Sequence, residues 1–535
     1  MLESSEIDPI VEEPIAPPTP QQQAASRGIA RAASILALGN VASRVLGLVR
    51  ETVKANLFGA SGLLSAFEVA AYVPTSLFDL IIGGMVSSSL VPVFSDYAAE
   101  ERRETLWQVV SSVLSVATAV LLFVVVLVEL FAPQVAWMVG ANEFTDPALT
   151  AVSIRLMRVV TPAVLFLGTA SVLSGVLYAL KRFTLPAFIS AAYNGTVVII
   201  ALIWPEKIDS LAWGILLGAV FQVVLQMPAL RDARLHWRFD WQHPAIRRIL
   251  RLYAPIVAGL VINQLAIALS LNLATRTGDQ SVSYMKYATT LTQFPLGLIV
   301  TALSIATLPT LSQQAALLAD FKQTLAEGLR LVITLILPAA AGLFALAVPI
   351  VALLFQHGKF TAVDTQTTAL VLRVYLFGLP FAAVDQMLVF ASYARKDTWR
   401  PALVGVISIV IYTVTAVLLL KPLGLLSLMV ADAVKHIIHT LIMLWLLQRH
   451  LHGLRGHRVT ITTLKSAAAA AATGLAAYGA AALLQPVLPA GGFVSRLALV
   501  LAGGAAGIAA YTVIVLWLDL QEAKSLPRLL FKRRS

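Results

Sequence analysis

The feature that most constrains this chain is the length of its apolar runs. Between charged or Pro/Gly breaks the sequence holds continuous apolar stretches near 63–94, 106–139, 150–179, 184–204, 209–230, 246–274 and 281–311. The series goes on near 324–356, 366–393, 400–420, 423–448, 460–485 and 493–519, and a less hydrophobic stretch lies near 29–54. A helix needs roughly 20 apolar residues to cross a bilayer. The runs therefore predict about fourteen transmembrane helices. They are continuous rather than alternating, which excludes a transmembrane β-barrel. Only 13% of the residues are charged and mean hydropathy is +0.83, whereas a soluble domain carries roughly 25% charged residues. Soluble enzymes, nucleic-acid binders and fibrous proteins are thereby excluded. The expected fold class is all-α, a polytopic membrane protein.

The loops orient these helices. Lys and Arg outnumber Asp and Glu by 39 to 28. With the N-terminus taken as cytoplasmic, the even-numbered loops hold Arg102 and Arg103, then Lys181 and Arg182, then Arg231, Arg234, Arg238, Arg247 and Arg248. Later even loops hold Lys322, then Arg395, Lys396 and Arg400, then Arg449, Arg455 and Arg458. The opposite loops offer little beyond Lys207, Arg276, Lys359 and Lys421. That alternation follows the positive-inside rule along the whole chain. It places both termini in the cytoplasm and the protein in the cell membrane.

The two ends differ from the rest. Residues 1–27 mix Glu3, Glu6, Asp8, Glu12 and Glu13 with five prolines, the opposite of a signal peptide's basic start. They read as a disordered cytoplasmic tail. Residues 521–535 carry Lys524, Arg528, Lys532, Arg533 and Arg534, a basic tail suited to an anionic leaflet. The chain has no cysteine, so disulfides, thiolate metal sites and cysteine nucleophiles are excluded.

An internal repeat divides the chain. Leu-Val-Pro-Val-Phe-Ser at 90–95 answers Leu-Pro-Thr-Leu-Ser at 308–312, and Pro133 answers Pro349. Phe144-Thr145 answers Phe360-Thr361, and Tyr178-Ala179 with Lys181 and Pro186 answers Tyr393-Ala394 with Lys396 and Pro401. By subtraction the offsets are 217, 216, 216 and 215. The offset covers six helices, an even number, so the copies are parallel and enclose a central path. The expected organisation is one six-helix lobe over 28–231, a second over 232–450, and two further helices over 451–520. Rocking of two lobes makes a transporter the expected class.

Several motifs resemble one family. Ser43-Arg44-Val45-Leu46-Gly47-Leu48-Val49-Arg50-Glu51, followed by Leu57-Phe58-Gly59-Ala60, is similar to the opening of the MurJ (MviN) lipid II flippases. Leu211-Ala212-Trp213 with Gly218, Gln222, Gln226 and Pro228 fits the same family, as does Gly328-Leu329-Arg330-Leu331 with Leu337-Pro338. Leu354-Phe355-Gln356-His357-Gly358-Lys359-Phe360-Thr361 is the most specific match. The resemblance runs from about residue 29 to the last helix. It implies a member of the multidrug/oligosaccharidyl-lipid/polysaccharide exporter superfamily, with two six-helix lobes and two added helices forming a lipid-facing groove. It further implies movement of an undecaprenyl-pyrophosphate-linked peptidoglycan precursor between leaflets, with membrane lipids and cell-wall synthesis machinery as partners.

A charge at mid-membrane costs roughly 2.5–3.5 kcal/mol, so intramembrane charges are the first candidates. On helix 1, Arg44 and Arg50 match the family's cavity arginines. Arginine also suits a pyrophosphate because its guanidinium binds as a planar, permanently charged fork. Lys54, nearer the helix end, reads as snorkelling to the interface. The sequence departs from the family's pattern at Ser65, where an aspartate is usual, and at Phe78 and Asp79, where an arginine pair is usual. It departs again at Thr290 and Gln293, where an arginine and a glutamate are usual. Glu68, three residues after Ser65, and Lys286, four before Thr290, return a charge of the original sign to the same helical face. Arg44, Arg50, Lys286 and Glu68 are therefore the expected substrate contacts.

Asp79 and Asp385 are the gating or ion-coupling candidates, Asp79 expected to pair with Arg44 or Arg50 and Asp385 with Arg373. Asp432, His436 and His439 recur at helical spacing with Lys435 among them. They read as a mutually paired face rather than a metal site. Asn263 and Gln264 are the nearest polar residues to the family's sodium carboxylates. No phosphate-cradling glycine loop is present, so no cofactor and no ATP hydrolysis are expected. Three readings stay open: a lipid II flippase, an exporter of another lipid-linked glycan or an amphipathic cation, and a non-transporting scaffold.

Overall fold

The computed structural model describes residues 20–82, 84–451, 453, 458–489, 491–520 and 522. The acidic start through Thr19, Arg455 and the basic tail from Lys524 onward lie outside these residues. Residues 20–27, expected within the disordered tail, are instead the first turns of a 39-residue helix, α1 (Pro20–Phe58). Pro20 sits at the first helical position, where its fixed φ suits a helix start, and the Gln/Ala run that follows is rich in helix formers.

Thirteen further long segments follow: α2 (Gly62–Ser95), α3 (Glu100–Leu130), α4 (Pro147–Ala179), α5 (Thr184–Ile203), α6 (Asp209–Leu230) and α7 (Pro244–Thr275). Then come α8 (Ser281–Gln313), α9 (Leu318–Ala345), α10 (Ala362–Ala394), α11 (Trp399–Leu423), α12 (Leu426–Leu451), α13 (Val459–Leu484) and α14 (Phe493–Trp517). Twelve of them are long and apolar enough to cross a membrane, and α7, bent by 55° between Pro244–Ala254 and Gly259–Thr275, makes a thirteenth. These thirteen candidates among the described residues leave the exact count of fourteen unconfirmed, α1 being the long helix that is not among them.

The repeat is legible in the element boundaries. The α-helix of α3 begins at Arg103 and α9 at Leu318, α4 at Pro147 and α10 at Ala362, α5 at Thr184 and α11 at Trp399, each pair 215 apart by subtraction. Lys181 and Lys396, also 215 apart, both take a left-handed backbone, at φ 58° and 62°. In each case the next amide reaches back five residues, Arg182 N–H to Leu177 O at 2.8 Å and Asp397 N–H to Ser392 O at 3.0 Å. This turn caps a helix by satisfying its last carbonyls. Both α2 and α8 are interrupted by one π-helical turn, at Val86–Leu90 and Leu296–Val300.

Packing repeats as well. α5 lies along α6 and α11 along α12, while α4 meets α6 and α10 meets α12. α1 runs beside α5, and the last pair, α13 and α14, packs on the bundle through α9. After α6 the chain is tied down by Arg182, which forks onto Asp232 at 2.7 and 3.0 Å. That fork holds the Asp232 carboxyl below the usual carboxylate range.

The motif around His357 joins the two copies. Lys359 N–H donates to the Asn56 carbonyl at 2.9 Å, and the Lys359 ammonium stands over the Phe58 ring. Gly358 and Gly59 are both left-handed, at φ +53° and +64°, and a Cβ on Gly358 would overlap the Asn56 carbonyl. Tyr287 of α8 completes the clasp, packing on Phe355 and Phe360 and donating its hydroxyl to the Gly59 carbonyl at 3.1 Å. Left-handed backbone costs a residue with a Cβ about 1–2 kcal/mol. Gly358→Ala should therefore lower the melting temperature of the purified protein by several degrees. An unchanged melting curve would remove the clasp from the account.

Candidate functional site

The charges of α1 are held by one another. Arg50 Nη2 and Nε donate to Glu51 Oε1 at 2.8 and 3.1 Å, and its Nη1 donates to Asn194 Oδ1 of α5 at 3.0 Å. Lys54 Nζ donates to Glu51 Oε2 at 2.7 Å and also to Glu68 Oε1 of α2. The second Glu68 oxygen lies 3.6 Å from Lys286 Nζ of α8. The signs thus alternate: Arg50, Glu51, Lys54, Glu68, Lys286. The three inner members are 2, 3 and 8% exposed. The two ends are open, with the side chain of Arg50 26% and that of Lys286 42% exposed. An isolated buried charge is costly, and pairing with hydrogen bonds is what makes it tolerable. Three cations against two carboxylates leave this wall with one net positive charge.

Arg50, Lys54, Glu68 and Lys286 line a cavity of about 940 Å³ between the two copies of the repeat. Its other wall, from α10 and α12, carries Asp385, Asp432, Lys435 and His436. Asp385 Oδ1 stands 2.5 Å from His439 Nδ1. Asp432 pairs with Lys435 at 2.6 Å and His436 at 3.7 Å. Tyr72, Tyr193, Tyr375 and Tyr412 add phenol groups, and Asn263, Gln293 and Gln386 add amides. Among the described residues no group of three or more His, Asp or Glu side chains is arranged to hold a metal. The cavity has one wall fit for an anionic group and one fit for a cationic group.

Four of the expected residues meet here: Arg50, Glu68, Lys286 and Asp385. Arg44 is exposed and lays its guanidinium against Gly297, a lining residue at the π-helical turn of α8. Asp79 does not line the cavity.

Three pairings differ from expectation. Lys54 does not snorkel, because Glu51 and Glu68 both reach its ammonium inside the bundle. Among the described residues Asp79 pairs with no arginine; its carboxylate accepts from Gln264 Nε2 at 3.2 Å, and Tyr72 donates to the Gln264 carbonyl at 2.5 Å. Asp385 is bound by His439 rather than Arg373, whose Nε donates to the Phe344 carbonyl at 3.2 Å and whose guanidinium covers the Phe344 ring.

Ser65 and Thr290 are also placed. Ser65 packs against Ser283 of α8 at 2.9 Å, and Thr290 bonds back to the Lys286 carbonyl at 2.9 Å. Glu51 is the residue that the sequence reading passed over. Its sign between Arg50 and Lys54, with Lys54 one helical turn away, was the available signal.

Removing one partner of a buried ion pair costs about 3–5 kcal/mol, since the other charge is left uncompensated. Lys54→Met should therefore lower folded yield and melting temperature, whereas an interfacial lysine would be replaced without effect. Size-exclusion and melting profiles in detergent distinguish the two.

Comparison with known proteins matches the chain to a family model. The model of the family described as lipid II flippase MurJ matches residues 54–501. A probable lipid II flippase MurJ from Bdellovibrio bacteriovorus is 30% identical over 442 residues, covering 80% of this chain and 83% of the relative. The lipid II flippase MurJ of Burkholderia cenocepacia is 31% identical over 380 residues, 68% of this chain and 73% of its own length. Among solved structures, a lipid II flippase MurJ in an inward closed conformation superposes with a TM-score of 0.73 at 21% identity, covering 91% of this chain and 99% of that one. An inward-facing multidrug resistance MATE family transporter of the MOP superfamily reaches a TM-score of 0.64 at 14% identity over 77% of this chain and 95% of its own. These two likenesses speak for the fold. The sequence relationship goes further, since the family match takes in most of the chain and both halves of the cavity: this chain belongs to the lipid II flippase MurJ family.

Proposed function

We propose that the chain moves lipid II, the undecaprenyl-pyrophosphate-linked peptidoglycan precursor, from the inner to the outer leaflet by alternating access. The observation that carries this reading is the cationic wall: Arg50 and Lys286 are the open ends of a charge chain whose carboxylates are already neutralised. Arg50 offers a fork and Lys286 a mobile point charge to a diphosphate. Arg44, lying on Gly297, is the third contact, and Glu68 sets the position of Lys286.

The lobes over 28–231 and 232–450 would rock about the cavity, with 451–520 as an added lipid-facing pair. Both termini are placed in the cytoplasm of a multi-pass cell-membrane protein, on the strength of the loop charges. Cell-wall synthesis enzymes are the proposed partners downstream of the flipped precursor. Of the two coupling candidates, Asp385 is the better placed, being in the cavity and bound by His439.

A second reading is favoured by one observation, the pair Asp385 and Asp432 on the opposite wall, which suits an amphipathic cation. Transport of a lipophilic cation, with no effect on lipid II, would select it.

The test is rescue of cells depleted of their native flippase, together with leaflet accessibility of the precursor. Arg44→Ala should abolish both and Arg44→Lys should keep part. Lys286→Ala should fail, and adding Thr290→Arg should restore activity. Asp385→Asn should lose transport while keeping lipid binding, and Asp79→Asn should keep both because an asparagine still accepts from Gln264. Failure of the wild-type chain to rescue despite membrane expression would count against the reading.

A further inference from the structure

The segment between the two copies, residues 231–243, carries a pattern that the cavity does not use. Leu235, Trp237, Phe239 and Trp241 recur at every second position and all are exposed, Trp237 to 76%. From the positions between them, the backbone N–H of His236 donates to Ser111 Oγ at 3.1 Å and that of Arg238 to Ser115 Oγ at 3.0 Å. Both hydroxyls belong to α3 and are buried. The registers match: two extended residues advance about 6.6 Å, and one i to i+4 step of a helix about 6.0 Å. The segment therefore runs along α3 in the direction of that helix, from its start toward its middle.

Ser111 and Ser115 both lie in the apolar run of α3 that begins near residue 106. Irregular backbone beside such a run needs partners inside the protein for its N–H groups, and the two serines supply them. The Arg238 side chain turns back toward the helix start, Nη1 reaching Gln108 Oε1 at 3.3 Å and Nη2 standing 3.8 Å from Asp240. A cation whose backbone dips below the interface snorkels in this way. Arg231, Arg234 and Arg247 are exposed and, among the described residues, make no ion pair.

We propose that residues 231–247 form a lipid wedge, with Trp237, Phe239 and Trp241 seated at the acyl–headgroup boundary and Arg231, Arg234 and Arg247 holding the phosphate of an anionic phospholipid. Naming the leaflet as the inner one rests on the orientation proposed above. Aromatic rings settle at that boundary because they are apolar with a polar edge, and juxtamembrane cations attract anionic headgroups. The wedge ties the only covalent link between the two copies to the bilayer.

The chain has no cysteine, so single-cysteine variants take a nitroxide label at one site. In phosphatidylcholine–phosphatidylglycerol vesicles, labels on Trp237→Cys and Trp241→Cys should collide with oxygen more than with a water-soluble nickel chelate. A label on Arg234→Cys should do the reverse. Water-exposed labels at both 237 and 241 would overturn the wedge. For the headgroup, the full chain should immobilise spin-labelled phosphatidylglycerol several-fold in preference to phosphatidylcholine. The triple variant Arg231→Gln, Arg234→Gln, Arg247→Gln should lose most of that preference, and an unchanged preference would overturn the phosphate contact. Neither readout requires transport, so failure here and failure of the flippase reading are separable.

Discussion

A lysine ammonium held inside a helical bundle by two carboxylates from different helices is the interaction on which the rest of this site depends. Lys54 can be buried only because Glu51 and Glu68 meet it, and those carboxylates are tolerable only because Arg50 and Lys286 face their outer oxygens. Electrostatics in a low-dielectric bundle links five residues of α1, α2 and α8 into one unit. Two consequences follow. The helices of the two copies are joined across the cavity by charge as well as by the glycine clasp at Gly59 and Gly358. Of the cations in this chain of charges, the two at its ends are the ones open to the cavity, each already polarised by one carboxylate and still open on one side.

The fold was legible in the sequence to the degree that it is one-dimensional. Helix extents followed from apolar length, and the boundaries of α2, α4, α5 and α12 fall within a few residues of the runs that announced them. The repeat survived too, since the Tyr-Ala-x-Lys turn has to end a helix in the same left-handed cap both times. Helix 1 was less legible. Its charges obscure the apolar signal, and the partners that make those charges tolerable come from α2, the next helix, and from α8, far along the chain. The bend in α7 lies in the stretch that holds Pro255 and Gly259, a kink signal that a count of apolar length passes over.

Four of the six expected residues share one cavity, and their pairing was not legible. Arg50, Glu68, Lys286 and Asp385 were identified because an intramembrane charge stands out, and all four line one cavity. Their partners could not be read, because a partner is chosen by helix rotation. Asp79 was assigned to an arginine by sign alone, yet α7 brings an amide, Gln264, to it. Asp385 and His439, 54 residues apart, meet because α10 and α12 pack together, and no spacing rule within one helix reports that contact. The departures from the family's pattern take on a physical meaning in the same way. Ser65 is spent on the contact between α2 and α8, and the carboxylate of α2 that meets Lys54 and Lys286 is Glu68, one turn along.

The central claim is that this cationic wall moves a diphosphate-linked lipid across the bilayer. The most direct measurement is the rate at which fluorescent lipid II equilibrates between leaflets of vesicles holding the purified chain, set beside the same lipid without its diphosphate head group. The account predicts faster equilibration of lipid II than in empty vesicles, no acceleration of the headless lipid, and loss of the effect in Arg50→Ala protein that elutes and melts like the wild type. Lipid II equilibrating no faster than in empty vesicles, or Arg50→Ala performing as well as the wild type, would contradict it.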